Sequence, residues 1–178
     1  VWAYKPDRAE KCAKIFDHLL VLLPFEPPFF TKAGLACTFV GHAAVAESQP
    51  GTADAFRAKF DIAPEVPIFT LLPGSRRGEV KRLMPIFAQA ISMIAPEYPN
   101  LALAVAVPDN MMPFVAPFFE QCPFRAVVMS NDDDKKNAIA ASSLAIVKSG
   151  TVTLEVAQGN VPMLVAYRVH PLSAWVFK

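Results

Sequence analysis

The run Leu71-Leu72-Pro73-Gly74-Ser75-Arg76-Arg77-Gly78-Glu79 combines residue types that can seat an anion. An apolar strand, Pro67 to Leu72, passes into an amphipathic helix through a turn holding two glycines and two arginines. A helix N-terminus offers unpaired backbone N–H groups and the positive end of its dipole. Small residues and a guanidinium placed there make a seat for phosphate oxygens. The turn has neither the Gly-Lys-Ser/Thr ending of a Walker A loop nor the Gly-x-Gly-x-x-Gly spacing of a dinucleotide turn. Taken alone, it also fits an ordinary strand-to-helix turn with solvated arginines.

A second run, Ser149-Gly150-Thr151-Val152-Thr153-Leu154-Glu155, again follows an apolar strand (Leu144 to Val147) and again opens a helix. Gly159 is placed to end that helix. Ser149, Gly150 and Thr151 can offer hydroxyls and backbone N–H groups to a diphosphate. Glu155 stands one turn beyond Thr151 on the same face, where a carboxylate can accept from both hydroxyls of a ribose. The plainer reading of Glu155 is an acid complementing the helix dipole. Two such turns at the carboxyl ends of parallel strands suit a nucleotide in the crevice of an open α/β sheet.

Other residues invite chemistry and have plainer readings beside it. Lys148, just before the second turn, either adds positive charge near the phosphates or points to solvent. Arg77 reads as a solvated neighbour of Arg76. Arg168 ends the last strand and either reaches the nucleotide or caps a helix. His42, after Gly41, has the titration range of a general base, yet its place before a polar stretch favours a structural role in a hinge. His18 and His170 read as packing or solvent-facing residues. Asp132-Asp133-Asp134 contains the Asp-x-Asp spacing that can hold a divalent metal on a diphosphate. Ser130-Asn131 before a helix makes capping and turn chemistry the better reading. No metal site and no cofactor are therefore expected.

The elements that must position these residues alternate. Asp7 to Phe16 reads as a helix, His18 to Leu23 and Cys37 to Val40 as strands, and the Pro27-Pro28 pair as a bar to an early helix, with Phe29 to Lys32 open to one turn of helix. The stretch Glu47 to Thr52 is the best linker, giving a first domain over 1–46, a linker over 47–52 and a second domain over 53–178. Beyond it, helix Ala53 to Phe60 precedes strand Pro67 to Leu72. The next helix carries Val80, Leu83, Phe87, Ile91 and Ile94 at helical spacing, and Pro85 should bend its first turns. Strands Leu101 to Val107, Arg125 to Met129, Leu144 to Val147 and Met163 to Tyr167 follow. Between them lie helices at Met111 to Gln121, at Asp134 to Ser142 and after Thr151. Short connections between alternating elements imply an α/β fold with a parallel sheet covered on both faces.

Composition narrows the classes. Apolar residues make up 53% of the 178, enough for a packed core. A net charge of +1 argues against a general nucleic-acid binder, so anion recognition must be local. The three cysteines, Cys12, Cys37 and Cys122, have no metal spacing and fit free thiols in a reducing cytoplasm. No apolar run reaches the roughly 20 residues of a membrane span. The absence of an initiator Met and the ending Trp175-Val176-Phe177-Lys178, inside an apparent helix, suggest an excerpt of a longer protein.

Six segments carry a family resemblance: Val1-Trp2-Ala3-Tyr4, Leu22-Leu23-Pro24-Phe25-Glu26, Phe39-Val40-Gly41-His42, Leu71 to Val80, Ser149 to Glu155, and Pro162 to Arg168. In this order the chain resembles the lipid-A-disaccharide synthases, glycosyltransferases of the GT-B architecture. The resemblance implies a Rossmann-like parallel-sheet domain preceded by the last β-α-β portion of a second Rossmann-like domain. It implies transfer of a diacylated glucosamine from UDP to diacylglucosamine 1-phosphate, with inversion, at the inner face of the cytoplasmic membrane. Gly74, Ser75, Arg76, Ser149, Gly150 and Thr151 would hold the UDP diphosphate, Glu155 the ribose, and Arg168 the nucleotide. The general base would lie in the N-terminal domain, outside this chain. An exposed Phe29-Phe30 pair is a candidate contact for acyl chains or the bilayer surface. Within the enzyme class, a UDP-N-acetylglucosamine epimerase or a cell-wall precursor transferase uses a similar Ser-Gly…Glu turn. A non-catalytic UDP-binding module is the alternative from another class.

Overall fold

The computed structural model describes residues 7–46, 49–120 and 122–168. Val1 to Tyr4, the linker residues Glu47 and Ser48, His170 and the final Trp175 to Lys178 lie outside the described residues. The chain divides into two compact units, Val1–Ser48 and Gln49–Lys178.

In the first unit α1 (Arg8–Ala13) precedes β1 (His18–Val21), α2 (Pro27–Thr31), β2 (Ala36–Phe39) and α3 (Ala43–Ala46). β1 and β2 pair in parallel, with His18 opposite Ala36 and Val21 opposite Phe39. A small core of Ala9, Val21, Phe30 and Leu35 holds this β-α-β together. The proline pair opens α2 instead of barring it, because the first helical positions need no N–H. Phe29 and Phe30 are not an exposed pair. Phe29 is 44% exposed, whereas Phe30, about 100° around the helix, is 7% exposed and packs inward.

The second unit runs α4 (Ala53–Lys59), β3 (Ile68–Leu72), α5 (Arg77–Ile94), β4 (Ala102–Ala106), α6 (Met112–Val115), β5 (Arg125–Met129), α7 (Asp132–Ala141), β6 (Leu144–Lys148), α8 (Val152–Gln158) and β7 (Met163–Ala166). Its strands form one parallel sheet in the order β5-β4-β3-β6-β7. β3 and β4 are buried at every residue, which explains their apolar runs Ile-Phe-Thr-Leu-Leu and Ala-Leu-Ala-Val-Ala. Alternate residues feed two cores. Ile68, Leu72, Ala102, Ala104, Ala145 and Val147 pack with Phe56, Ala138, Ile139 and Val156. Phe69, Leu71, Leu103, Val105 and Ile146 pack with Val80, Leu83, Met84, Phe87 and Ile91 of α5. Thr70 is fully buried among them; its hydroxyl bonds to the Ser142 hydroxyl and lies 3.4 Å from the Ala138 carbonyl. A buried hydroxyl without such partners would cost about 1–3 kcal/mol.

Two further local expectations need correction. The expected helix Met111 to Gln121 is broken into a 3-10 turn (Asp109–Met111), α6 and a second 3-10 turn (Ala116–Phe118). Pro113 and Pro117 each start a new turn and cannot donate to the preceding one. α5 continues through Pro85, which lies on its exposed side. α7 begins two residues earlier than its pattern suggested, because Asn131 caps it: the side-chain oxygen accepts from the N–H groups of Asp133 (2.8 Å) and Asp134 (3.1 Å).

Gly51 and Thr52, at the end of the polar stretch, dock against α7. A Cβ on Gly51 would stand 2.3 Å from the Lys136 carbonyl carbon, and the Thr52 N–H donates to Asn137 Oδ1 at 2.8 Å.

Candidate functional site

The strand order reverses at β3. β4 and β5 lie on one side of it and β6 and β7 on the other, so the crossovers leave the carboxyl ends of β3 and β6 adjacent and uncovered. An open α/β sheet forms its ligand crevice at such a reversal. The two loops singled out in the sequence leave these two strands. Separated by about seventy residues, they meet because Leu72 pairs with Val147 in register.

Gly74, Ser75, Arg76, Gly150, Thr151 and Glu155 all line one cleft of about 600 Å³, with Leu72, Ala106, Val107 and Pro108 at its floor. Clefts of about 300–1,000 Å³ are the usual size for small ligands. Gly74 has φ +108°, a conformation that side-chain-bearing residues rarely adopt. Arg76 is the N-cap of α5, in extended conformation, and its side chain is 83% exposed. At the second loop the Thr153 hydroxyl donates to the Gly150 carbonyl at 2.7 Å, securing the first turn of α8.

Ser149 and Arg168 do not line the cleft. The Ser149 N–H is committed to the Ala166 carbonyl at 2.9 Å, holding β6 to β7. Arg168 is exposed beyond the end of β7, an edge strand. Arg77 does not line it either; its guanidinium stacks 4.5 Å from the centre of the Phe114 ring. His42 belongs to the first unit, on the segment between β2 and α3.

Four charged residues of the cleft, Glu79, Asp132, Lys135 and Lys148, lie outside the expected site set, although the sequence makes Lys148 and Asp132 candidates. Glu79 accepts from Lys148 Nζ at 3.1 Å and Arg76 Nη1 at 3.4 Å. Burial alone would raise its carboxyl. The hydrogen bond and charge of Lys148 outweigh that, helped by the backbone N–H and the charge of Arg76, and hold it below its ordinary value. Lys135 bridges Glu155 Oε2 (2.9 Å) and Asp132 Oδ1 (3.0 Å). Burial alone would lower the Lys135 amine; hydrogen bonds and charge from Glu155 and Asp132 outweigh it and raise it. The hydrogen bond and charge of Lys135 lower Asp132 against a smaller effect of burial, with Lys136 adding to the lowering. Lys148 lines the cleft and does not point to solvent: its side chain is 17% exposed and ion-paired to Glu79.

A signal for Glu79 existed. Position N3 of a helix is where an acid reaches back to the N-cap N–H, but the N-cap here is Arg instead of Ser or Thr, which hides the capping-box pattern. Lys135 had no sequence signal, since its meeting with Glu155 depends on which helices flank β6. The acidic run is divided: Asp132 turns to Lys135, Asp134 to Lys59 at 2.7 Å. Among the described residues no group of three His, Cys, Asp or Glu is placed to hold a metal, and no helix is long and apolar enough to cross a membrane.

Chemically, the cleft holds three cations (Arg76, Lys135, Lys148) and three carboxylates (Glu79, Asp132, Glu155) over an apolar floor. It can take an anionic ligand by exchanging partners.

Comparison with known proteins adds an independent line. A family model described as lipid-A-disaccharide synthetase matches residues 1–178. The lipid-A-disaccharide synthase of Rhodospirillum centenum is 45% identical over 179 residues, covering 100% of this chain and 45% of that protein. The enzyme of that name from Ruegeria pomeroyi is 41% identical over 183 residues, covering 97% of this chain and 45% of its own length. The chain therefore spans about half the length of the curated relatives it matches. Among solved structures, S. aureus MnaA with UDP is similar with a TM-score of 0.63 at 16% identity, over 92% of this chain and 47% of that one. Likeness at that identity is a likeness of fold, and the fold is α/β of the GT-B type.

Proposed function

The chain belongs to the lipid-A-disaccharide synthetase family, and from that premise we propose that its second unit seats the UDP of a UDP-linked diacylglucosamine. The whole protein would transfer the 2,3-diacylglucosamine to 2,3-diacylglucosamine 1-phosphate at the inner-membrane surface. The observation that carries the reading is the meeting of the Gly74–Arg76 and Gly150–Thr151 loops over one cleft at the sheet's reversal point.

In the transfer, the acceptor's 6-hydroxyl oxygen bonds to the anomeric carbon as that carbon's bond to the diphosphate oxygen breaks. The hydroxyl proton passes to a general base, and UDP leaves carrying the released charge. The Arg76 guanidinium and the backbone N–H groups of Gly74 and Ser75 stabilise that charge. The hydroxyl and N–H groups of Gly150 and Thr151 face the same diphosphate. Glu155, released in part from Lys135, accepts from the ribose hydroxyls. Ser149, outside the cleft lining, acts by anchoring the loop that carries Gly150 and Thr151, its N–H holding β7. Arg168 is left as a nucleotide contact only through movement of its long side chain. The base belongs to the family's N-terminal domain, with His42 as a hinge residue. Residues 47–52 join the two domains in this reading.

UDP titration into the chain by calorimetry tests the seat. Incubating the complete protein with both sugar lipids, and separately with UDP-N-acetylglucosamine, tests the chemistry. A disaccharide product supports transfer; epimerised sugar, or UDP binding with no product, supports the alternatives. Activity that persists after chelation of divalent metal is expected.

A further inference from the structure

We propose that Glu79 is a positioning residue, fastening the β3–α5 turn to the end of β6 so that Arg76 and Lys148 are set before a ligand arrives. The inference rests on the reading of this cleft as a diphosphate seat. A carboxylate is an odd resident of such a place, since it repels the ligand. Its contacts explain it.

Glu79 touches every part that must be held. Its Oε2 stands 2.7 Å from where a Cβ on Gly74 would be, so the turn rides directly over the carboxylate. Its Oε1 takes Lys148 Nζ at 3.1 Å and Arg76 Nη1 at 3.4 Å. The backbone N–H and the charge of Arg76 also help to hold its carboxyl below the ordinary value. Lys148 and Glu79 are only 17% and 15% exposed at their side chains, so this pair is less screened than a surface pair. Arg76, at 83%, keeps its outer edge free for solvent or ligand.

Remove the carboxylate and two effects follow. Lys148 and Arg76 lose the charge that lets two cations converge, and the turn loses the group on which Gly74 rests. The N–H groups of the turn then have to be ordered when the ligand binds, a cost that a preset loop avoids. The alternative role is competition, in which Glu79 merely occupies the cations that a phosphate needs. The two roles predict opposite signs.

The experiment is calorimetric titration of UDP into the full chain as wild type, Glu79→Gln, Glu79→Ala, Lys148→Met and Glu79→Ala/Lys148→Met. Positioning predicts that Glu79→Ala weakens UDP on the order of 10-fold at unchanged stoichiometry, the scale of a charged hydrogen-bond network. Gln, which keeps the shape and the acceptor, should recover part of it. The double variant should be weakened by less than the product of the single effects, because both remove one bridge. Stoichiometry reports the folded fraction, so a merely structural defect would lower it and leave the constant alone. If Ala does not fold, the Gln variant carries the sign. UDP affinity equal to or tighter than wild type in either Glu79 variant overturns the inference while the seat stands. Failure of the wild-type chain to bind UDP overturns the seat and this inference together.

Discussion

Arg76 is loosely held in the free protein, and that suits it to a change of partner. Its pair with Glu79 is 3.4 Å long and its side chain is 83% exposed, a class of contact worth about 0–1 kcal/mol. A charged hydrogen bond to a phosphate is worth about 1.5–3 kcal/mol, so the exchange favours the ligand. Arg76→Ala is expected to weaken UDP binding by that amount, roughly 10- to 150-fold, with Arg76→Lys intermediate because an ammonium lacks the planar fork. Glu155 should behave differently. Glu155→Ala is expected to weaken uridine and UDP alike, whereas Arg76→Ala weakens UDP and leaves uridine unchanged. Competition titrations with the two ligands check this; equal losses for both ligands in both variants would undo the division between ribose and diphosphate.

At the scale of elements, the turn after β3 and the start of α7 are set by single residues. Gly74 combines φ +108° with a carboxylate oxygen 2.7 Å from the place of a Cβ. Gly74→Ala should therefore cost about 1–3 kcal/mol in urea unfolding, from backbone strain and displacement of Glu79. Asn131→Ala should cost about 1 kcal/mol, since it leaves two N–H groups of the first turn of α7 without their acceptor. An unchanged unfolding midpoint in either variant would contradict the assigned role. β3, β4 and α5 were legible because two-sided burial and helical spacing both leave apolar patterns. The prolines misled because their meaning is positional: Pro27 and Pro28 open a helix, while Pro113 and Pro117 break one. Glu79 stayed hidden because an Arg at the N-cap masks the capping-box pattern, and Lys135 because its partner Glu155 becomes a neighbour only once strand order is known.

Over the whole molecule, three cleft groups tie stability to pH. Glu79 and Asp132 are lowered from ordinary values of 4.5 and 3.8, so what they contribute is present above those values and lost as pH falls through the folded ones. Lys135 is raised from 10.5, so its contribution is full below that value and lost as pH rises through the folded one. Urea midpoints measured across pH should be flat between these limits as far as these groups act, and should fall at both ends. Lys135→Met should flatten the alkaline fall; an unchanged alkaline limb would remove Lys135 from the balance. The equal number of positive and negative side chains around the cleft has one more consequence. Their fields largely cancel a few ångströms outside, so the site cannot gather anions from afar. UDP should arrive at an ordinary, unsteered rate that changes little from about 50 to about 500 mM salt, and ionic strength should act on how long it stays.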